Sequence, residues 1–291
     1  MKFVFFCLVL AACFAAGYSR VIYVNTTADL VKAMEASKPG DNIVAYPGKY
    51  KMENYGFKTV VGTADKPILL SCSVEGLCLF ADSVVLWSCS YLTITGFIFD
   101  VFSVPDALTI QDSDHILVNS VTFRGGDDSN VWMVRSSYCT LKYCSFERTT
   151  IGINVLSGSD NTIDLCEFGK AISDNVIYIN NGTNMVFSRN NVYGGQNCYT
   201  AGSWIVEVDA GGNSFTDNSF GFVFSSYQRP LNGYLAKGTC VYGPSTLKNN
   251  FMDLKSGTGF AGCKDYHNKV CASNSVVGGA TFTDGDVDQS C

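Results

Sequence analysis

Apolar and polar residues alternate at period two in short runs that recur along most of the chain, each opening on a polar turn and closing on Phe or Val. The copies are SYLTITGFIF at 90–99, SDHILVNSVTF at 113–123, SYCTLKYCSF at 137–146, SDNTIDLCEF at 159–168, GTNMVFSRNNV at 182–192, GGNSFTDNSF at 211–220 and STLKNNF at 245–251. A weaker CASNSV ends at Val276. The closing residues Phe99, Phe123, Phe146, Phe168, Val192, Phe220, Phe251 and Val276 are spaced 22 to 31 residues apart. Such a spacing is that of a solenoid. Helical repeats are disfavoured, because the runs alternate at period two, are rich in β-branched residues and show no sustained 3.6 periodicity. The pattern predicts short parallel strands, about one coil of a three-sided solenoid per copy.

Two positions before each closing residue stand Phe97, Val121, Cys144, Cys166, Asn190, Asn218, Asn249 and Asn274. In stacked coils equivalent side chains meet about 4.8 Å apart, so asparagines at one bend can hydrogen-bond to the coils above and below. A turn preference accounts for each Asn singly but not for the shared offset. The expectation is an inner ladder, extended upward by the buried, unreactive thiols of Cys144 and Cys166.

Fourteen residues upstream of the closing residues lie Thr109, Trp132, Asn154 and Tyr178, each flanked by apolar residues that should point inward. This column should face solvent. Glu207 joins it if the next coil is shifted by one residue, as the alternation of Val206 and Val208 with Glu207 and Asp209 implies. Ahead of the repeats, TTADLVKAMEASKPGDNIVAYPGKY combines a Thr cap with apolar residues at helical spacing and a stop at Pro39-Gly40. A short helix within 26–40 is expected to cover the open end that a solenoid must cap. One domain is expected over 18–291, with 277–291 closing the far end.

Composition changes the picture in three places. Only 16% of residues are charged and 13% are aromatic, which fits an ordered β-rich body. Met1-Lys2, an apolar run from Phe3 to Ala16 and the small residues before Gly17 read as a signal peptide over 1–17. A secreted, extracellular protein is expected, with no membrane insertion and no partner chain. A net charge of −6 argues against nucleic acid as a partner.

Of thirteen cysteines, Cys7 and Cys13 leave with the leader, and the remaining odd number cannot all pair within the chain. Cys72 with Cys78 and Cys263 with Cys271 close short loops and are candidate disulfides; for several others buried free thiols read equally well. Zinc is a poor reading, with no paired CxxC and only His115 and His267 as imidazoles. The sequons at Asn25 and Asn181 are candidate glycosylation sites.

The cap segment TADLVKAMEASKPGDNIVAYPGKY, the GTADKPILL that follows and the Asn column together resemble the pectate-lyase-like superfamily of right-handed β-helix proteins. Within it the chain is most similar to the chondroitinase B and alginate lyase group. The likeness covers about residues 21 to 276 in architecture and 27 to 70 in motif. It implies an all-β, right-handed parallel β-helix with a short N-terminal capping α-helix. It also implies a polysaccharide or glycan as partner. Active members are often lyases in which Ca²⁺ or basic residues neutralise a uronate carboxylate while a base removes the C5 proton. Neither a Lys and Arg signature, a calcium cluster nor an Asp triad is legible here. The alternative is a glycan-binding or structural surface β-helix without catalysis.

Several residues remain as candidates. Trp132 and Tyr178 can stack on sugar rings, with Asn154 and Glu207 supplying hydrogen bonds; ordinary surface aromatics are an equal reading. Lys142, Arg135 and Arg148 on neighbouring coils are candidates for contact with an acidic sugar, against a bland reading as solvated charges. Asp112, Asp114, Asp127 and Asp128 fall in turns close to one another in the coil register and are candidate Ca²⁺ ligands, against local capping. A hydrolase reading would use Glu207 and Asp209 as paired carboxylates.

Overall fold

The computed structural model describes residues 19–52, 56–169, 172, 175–192, 204–208, 212–221, 237–241, 246–253, 258–262, 269–271, 275–277, 281–283 and 287–288. Residues 1–17, expected as a signal peptide, and Cys263, Asn274 and Asp209 lie outside them. Within them the chain winds as a right-handed parallel β-helix with three faces, each strand pairing with its equivalents one coil before and after. The first face has twelve strands, from Val21–Val24 to Val287–Asp288. The second has ten, from Gly48–Tyr50 to Ser275–Val277, and the third ten, from Phe57–Lys58 to Thr281–Thr283. In the 277–291 stretch, expected as a closing segment, the strands Thr281–Thr283 and Val287–Asp288 continue the third and first faces.

Period-two alternation fills the interior. On the third face Leu108 and Ile110, Val131 and Met133, Ile153 and Val155, and Ile177 and Ile179 are all buried. On the second, Phe99, Phe123, Phe146 and Phe168 register as one column whose successive rings stack at 4.9, 5.2 and 4.7 Å. Each such ring stabilises the fold by roughly 1.5–3 kcal/mol through burial, and the offset contacts add to it.

The bend from first to second face is one left-handed residue per coil: Gly96, Ser120, Tyr143, Leu165, Arg189, Asp217 and Asn249, with φ from 51° to 77°. For non-glycine residues this conformation costs roughly 1 kcal/mol each. The next residue turns inward, and there the ladder forms. The Asn190 amide N–H donates to Asn218 Oδ1 at 2.9 Å, and the Asn218 N–H donates to Asn250 Oδ1 at 3.1 Å. Their side-chain amides donate onward to Asn218 Oδ1 and Asn250 Oδ1 and back to the carbonyls of Ile163 and Phe187. Above them the Cys166 N–H donates to Asn190 Oδ1, and the buried thiols of Cys144 and Cys166 donate to the carbonyls of Val118 and Leu141. Burial pushes the Cys166 thiol far up, so it stays protonated.

One rung differs from the sequence expectation. The ladder residue is Asn250, not Asn249, because Phe220 registers with Met252 and not with Phe251. Asn249 occupies the exposed left-handed position and donates from Nδ2 to Asp217 Oδ1 at 3.0 Å. A second ladder went unpredicted: at the third-to-first bend, Asn161 and Asn213 are buried and accept from the N–H groups of Cys139 and Met185, both at 2.8 Å.

The helix, α1 (Thr27–Glu35), falls within the expected 26–40 segment. Thr26 caps it by accepting from the Asp29 N–H, and Leu30, Ala33 and Met34 are buried against the first coils. Asp41, 3% exposed, is held below the usual carboxylate range, chiefly by its hydrogen bonds from Arg20. Cys72 and Cys78 form a disulfide closing a six-residue separation. Reducing it is expected to cost about 2 kcal/mol, read as a lower denaturant midpoint in the presence of dithiothreitol. No described helix is long and apolar enough to cross a membrane.

Candidate functional site

Four neighbouring strands of the third face, Asp106–Gln111, Ser129–Val134, Ile151–Ser159 and Ile177–Thr183, carry one outward column: Thr109, Trp132, Asn154 and Tyr178 in direct register. The backbone of Glu207 stands next to Tyr178, followed by Cys240, Ala261 and Thr283. The inward neighbours are β-branched or aliphatic, which locks the strand parity and so aims the column outward.

The rim of this face is built by the loop 124–129. Gly125 and Gly126 have φ near 95°, and a Cβ at either would lie 1.9 and 2.2 Å from the carbonyl oxygens of Val101 and Ser129. Only glycine permits that approach. The loop is pinned by Asp127 N–H to Val104 O at 2.7 Å and Asp128 N–H to Pro105 O at 2.8 Å. Buried Asn130 adds a bond from Nδ2 to Gly125 O. Asp128 and Ser129 thereby come to stand beside Asp106, at the head of the outward column. A cleft of about 360 Å³ opens there, lined among others by Asp106, Asp128, Ser129, Trp132, Asn154 and Tyr178. The cleft crosses four coils, about 14 Å along the axis.

Asp106 is the group that sequence reasoning missed. It is 7% exposed, and burial pushes its carboxyl up to about 6, helped by the charge of Asp128. Ser129 pulls it part of the way back, yet the Ser129 Oγ is itself buried without a formed hydrogen bond. A buried carboxyl shifted towards neutrality in a cleft marks a functional candidate. The available signal was positional: Asp106 shares the parity of the inward-facing Leu108 and Ile110, where an acid is out of place.

The family model described as "Right handed beta helix region" matches residues 82–251, more than half of the chain. The chain belongs to this family. Among solved structures, this right-handed β-helix protein is similar to an alginate lyase from Paenibacillus sp. str. FPU-7. That match has a TM-score of 0.80 at 16% identity and covers 92% of this chain and 99% of the other. It is also similar to pectate lyase Pel9A, with TM-score 0.61, 13% identity and coverage of 94% and 80%. A third match is Geobacillus virus E2 ORF18, with TM-score 0.52, 11% identity and coverage of 89% and 62%. At these identities the likeness shows the fold alone. No curated protein sequence matches the chain.

In the β-helix, Arg135, Lys142 and Arg148 are not among the residues that line the cleft. Thr109 is in the column but only 6% exposed, so the outward surface begins at Trp132. Arg135 is engaged with Asp112 through two bonds of 2.7 and 2.8 Å, at the opposite end of the third-face strands from Asp106. Arg148 pairs with Asp100 at 2.5 Å and lies over the Phe102 ring, and Lys142 sits on the first face 3.7 Å from Asp164. The three cations project from different sides of the coil, so they do not converge.

The aspartates also divide. Asp112 and Asp114 follow the strand Asp106–Gln111, whereas Asp127 and Asp128 precede its partner strand. About 17 Å of strand separates the two pairs. Asp112 is bound to Arg135, which holds its carboxyl below the usual range, and Asp114 contacts His115 Nδ1 at 2.7 Å. Among the described residues no group of three or more His, Cys, Asp or Glu could hold a metal ion. The coil-register proximity expected for these four aspartates is therefore incorrect: adjacency in turn type does not place residues at the same end of a strand. Asn25 and Asn181 are both exposed.

Proposed function

We propose that this chain is an exported, carbohydrate-active β-helix protein that binds a uronate-containing polysaccharide along its third face and cleaves it by elimination. The observation that carries the reading is a buried carboxyl, Asp106, at the head of a cleft lined by Trp132, Asn154 and Tyr178. Aromatic faces suit the apolar faces of sugar rings, and an amide between them suits hydroxyl groups. The similarity to an alginate lyase and a pectate lyase adds support for the substrate class, while fold likeness by itself does not assign a reaction.

In this reading Asp106 is the base. Its carboxylate takes the C5 proton, the bond from C4 to the linking oxygen breaks, a C4–C5 double bond forms, and the protonated carboxyl returns the proton to the departing oxygen. A base with a pKa near 6 is well matched to working pH.

A second reading, glycan binding without catalysis, is favoured by the engagement of Arg135, Lys142 and Arg148 in ion pairs, with none of them among the lining residues. One assay separates the two. The mature protein is incubated with pectate, pectin, alginate and chondroitin, and the ultraviolet absorbance of the unsaturated product is followed. Product on any substrate supports elimination; binding with no product on all of them leaves the non-catalytic reading. Trp132→Ala is expected to weaken binding at least tenfold in affinity electrophoresis, in line with about 1.5 kcal/mol for a lost stacking platform. Unchanged binding would mean that the polysaccharide uses another face.

A further inference from the structure

The cleft is acidic, and its charge bears on the state of the substrate. Its lining holds two carboxyls, Asp106 and Asp128, and no described lysine, arginine or histidine. Among the described side chains the outward column contributes no cation either: Val85, Thr109, Trp132, Asn154 and Tyr178 are all neutral. The nearest lysines in register on this face are Lys58 and Lys237. Lys58 lies three coils before Val134, over the Trp87 ring at 5.2 Å, and Lys237 lies three coils beyond Ile151. Each is about 14 Å from the middle of the cleft, beyond the range at which an exposed charge acts strongly in physiological salt.

Resting on the lyase reading above, we infer that the cleft takes a polysaccharide whose uronate carboxyls are esterified, so that the sugar arrives without charge. A free uronate would lose water in the cleft with no cation among the described lining residues to replace it and would face Asp106 and Asp128. Esterification removes both costs. It also supplies what a lyase otherwise obtains from a metal or a basic side chain: the ester carbonyl accepts the electron density released when the C5 proton leaves. The same feature accounts for the absence of a neutralising cation among the lining residues. The neutral face of the ring, with its ester, lies against Trp132, and Asn154 serves the hydroxyl groups.

The test uses one pectin in two forms, highly methyl-esterified and the same material saponified, with a neutral galactan as third probe. Binding is measured by affinity electrophoresis and cleavage by product absorbance. The expected result is at least a tenfold preference for the esterified chain, and Asp128→Asn should reduce that preference several-fold by relieving repulsion towards the saponified chain. Asp128 is exposed, so this change leaves the core untouched. A preference for the saponified chain, or equal binding of the galactan, would overturn the esterified-uronate assignment while leaving the cleft as a glycan site. Failure to bind or cleave any of these chains, or alginate and chondroitin, would overturn the glycan reading itself.

Discussion

Asn218→Ala is expected to lower the unfolding free energy by about 3 kcal/mol or more, measured as a shifted denaturant midpoint. The side chain is 2% exposed and serves four partners: it accepts from Asn190 N–H and Asn190 Nδ2, and it donates to Phe187 O and Asn250 Oδ1. Truncation strands these groups where water does not reach, at a cost of roughly 1–3 kcal/mol each, partly relieved by relaxation. The companion change Asn249→Gly should lie within about 0.5 kcal/mol of wild type, since Asn249 is exposed and left-handed, where glycine is at ease. If the two variants were equally stable, the ladder would not be a principal support of the coil. A neighbouring test lies on the same column: Cys166 should resist alkylation in the folded protein, because its thiol is buried and kept protonated.

Asp106→Asn is expected to separate stability from activity. Burial raises the Asp106 carboxyl from 3.8 to about 6, so the folded chain binds this proton more tightly than the unfolded chain does. Its contribution is therefore fully favourable below pH 4 and is lost as pH rises through 6. A rise of that size corresponds to about 3 kcal/mol. The asparagine variant should thus be as much as about 2 kcal/mol more stable than wild type at pH 7.5, and its stability should no longer fall between pH 4 and 6. Cleavage should drop by about 10²-fold or more, the usual scale for a removed general base. Thermal unfolding across that pH range and product absorbance at pH 7.5 check the two arms. A variant that loses stability at neutral pH would show that Asp106 is a structural acid and not one held in reserve for chemistry.

The difference between what is legible in the sequence and what is not can be followed at individual residues. Asn190 and Asn218 follow from counting back from Val192 and Phe220, because repeats of similar length keep equal offsets. The same count fails at Asn249 by one residue: the preceding coil is long, two asparagines are adjacent, and nothing local says which takes the left-handed bend. Alternation alone places Trp132, Asn154 and Tyr178 on one column. It does not place the candidate cations and candidate calcium ligands, since Arg135, Lys142 and Arg148 stand at the ends of strands of three different faces, and a turn position does not reveal the end of the sheet to which it belongs.

The repeat of apolar side chains at period two, with an equivalent bend every 22 to 31 residues, was by itself enough to determine the parallel coil, the inward parity of its apolar residues and the stacking of Asn190 on Asn218. These properties are set by nearest neighbours along a quasi-one-dimensional stack, and so they are written locally. Only the tertiary structure decided that Asp106 is buried beside Asp128 and Ser129, that the basic residues are already paired, and that the cleft among Trp132, Asn154 and Tyr178 is acidic. Burial and charge balance depend on what neighbouring coils and the glycine-built loop bring within a few ångströms, and a single coil does not contain that information.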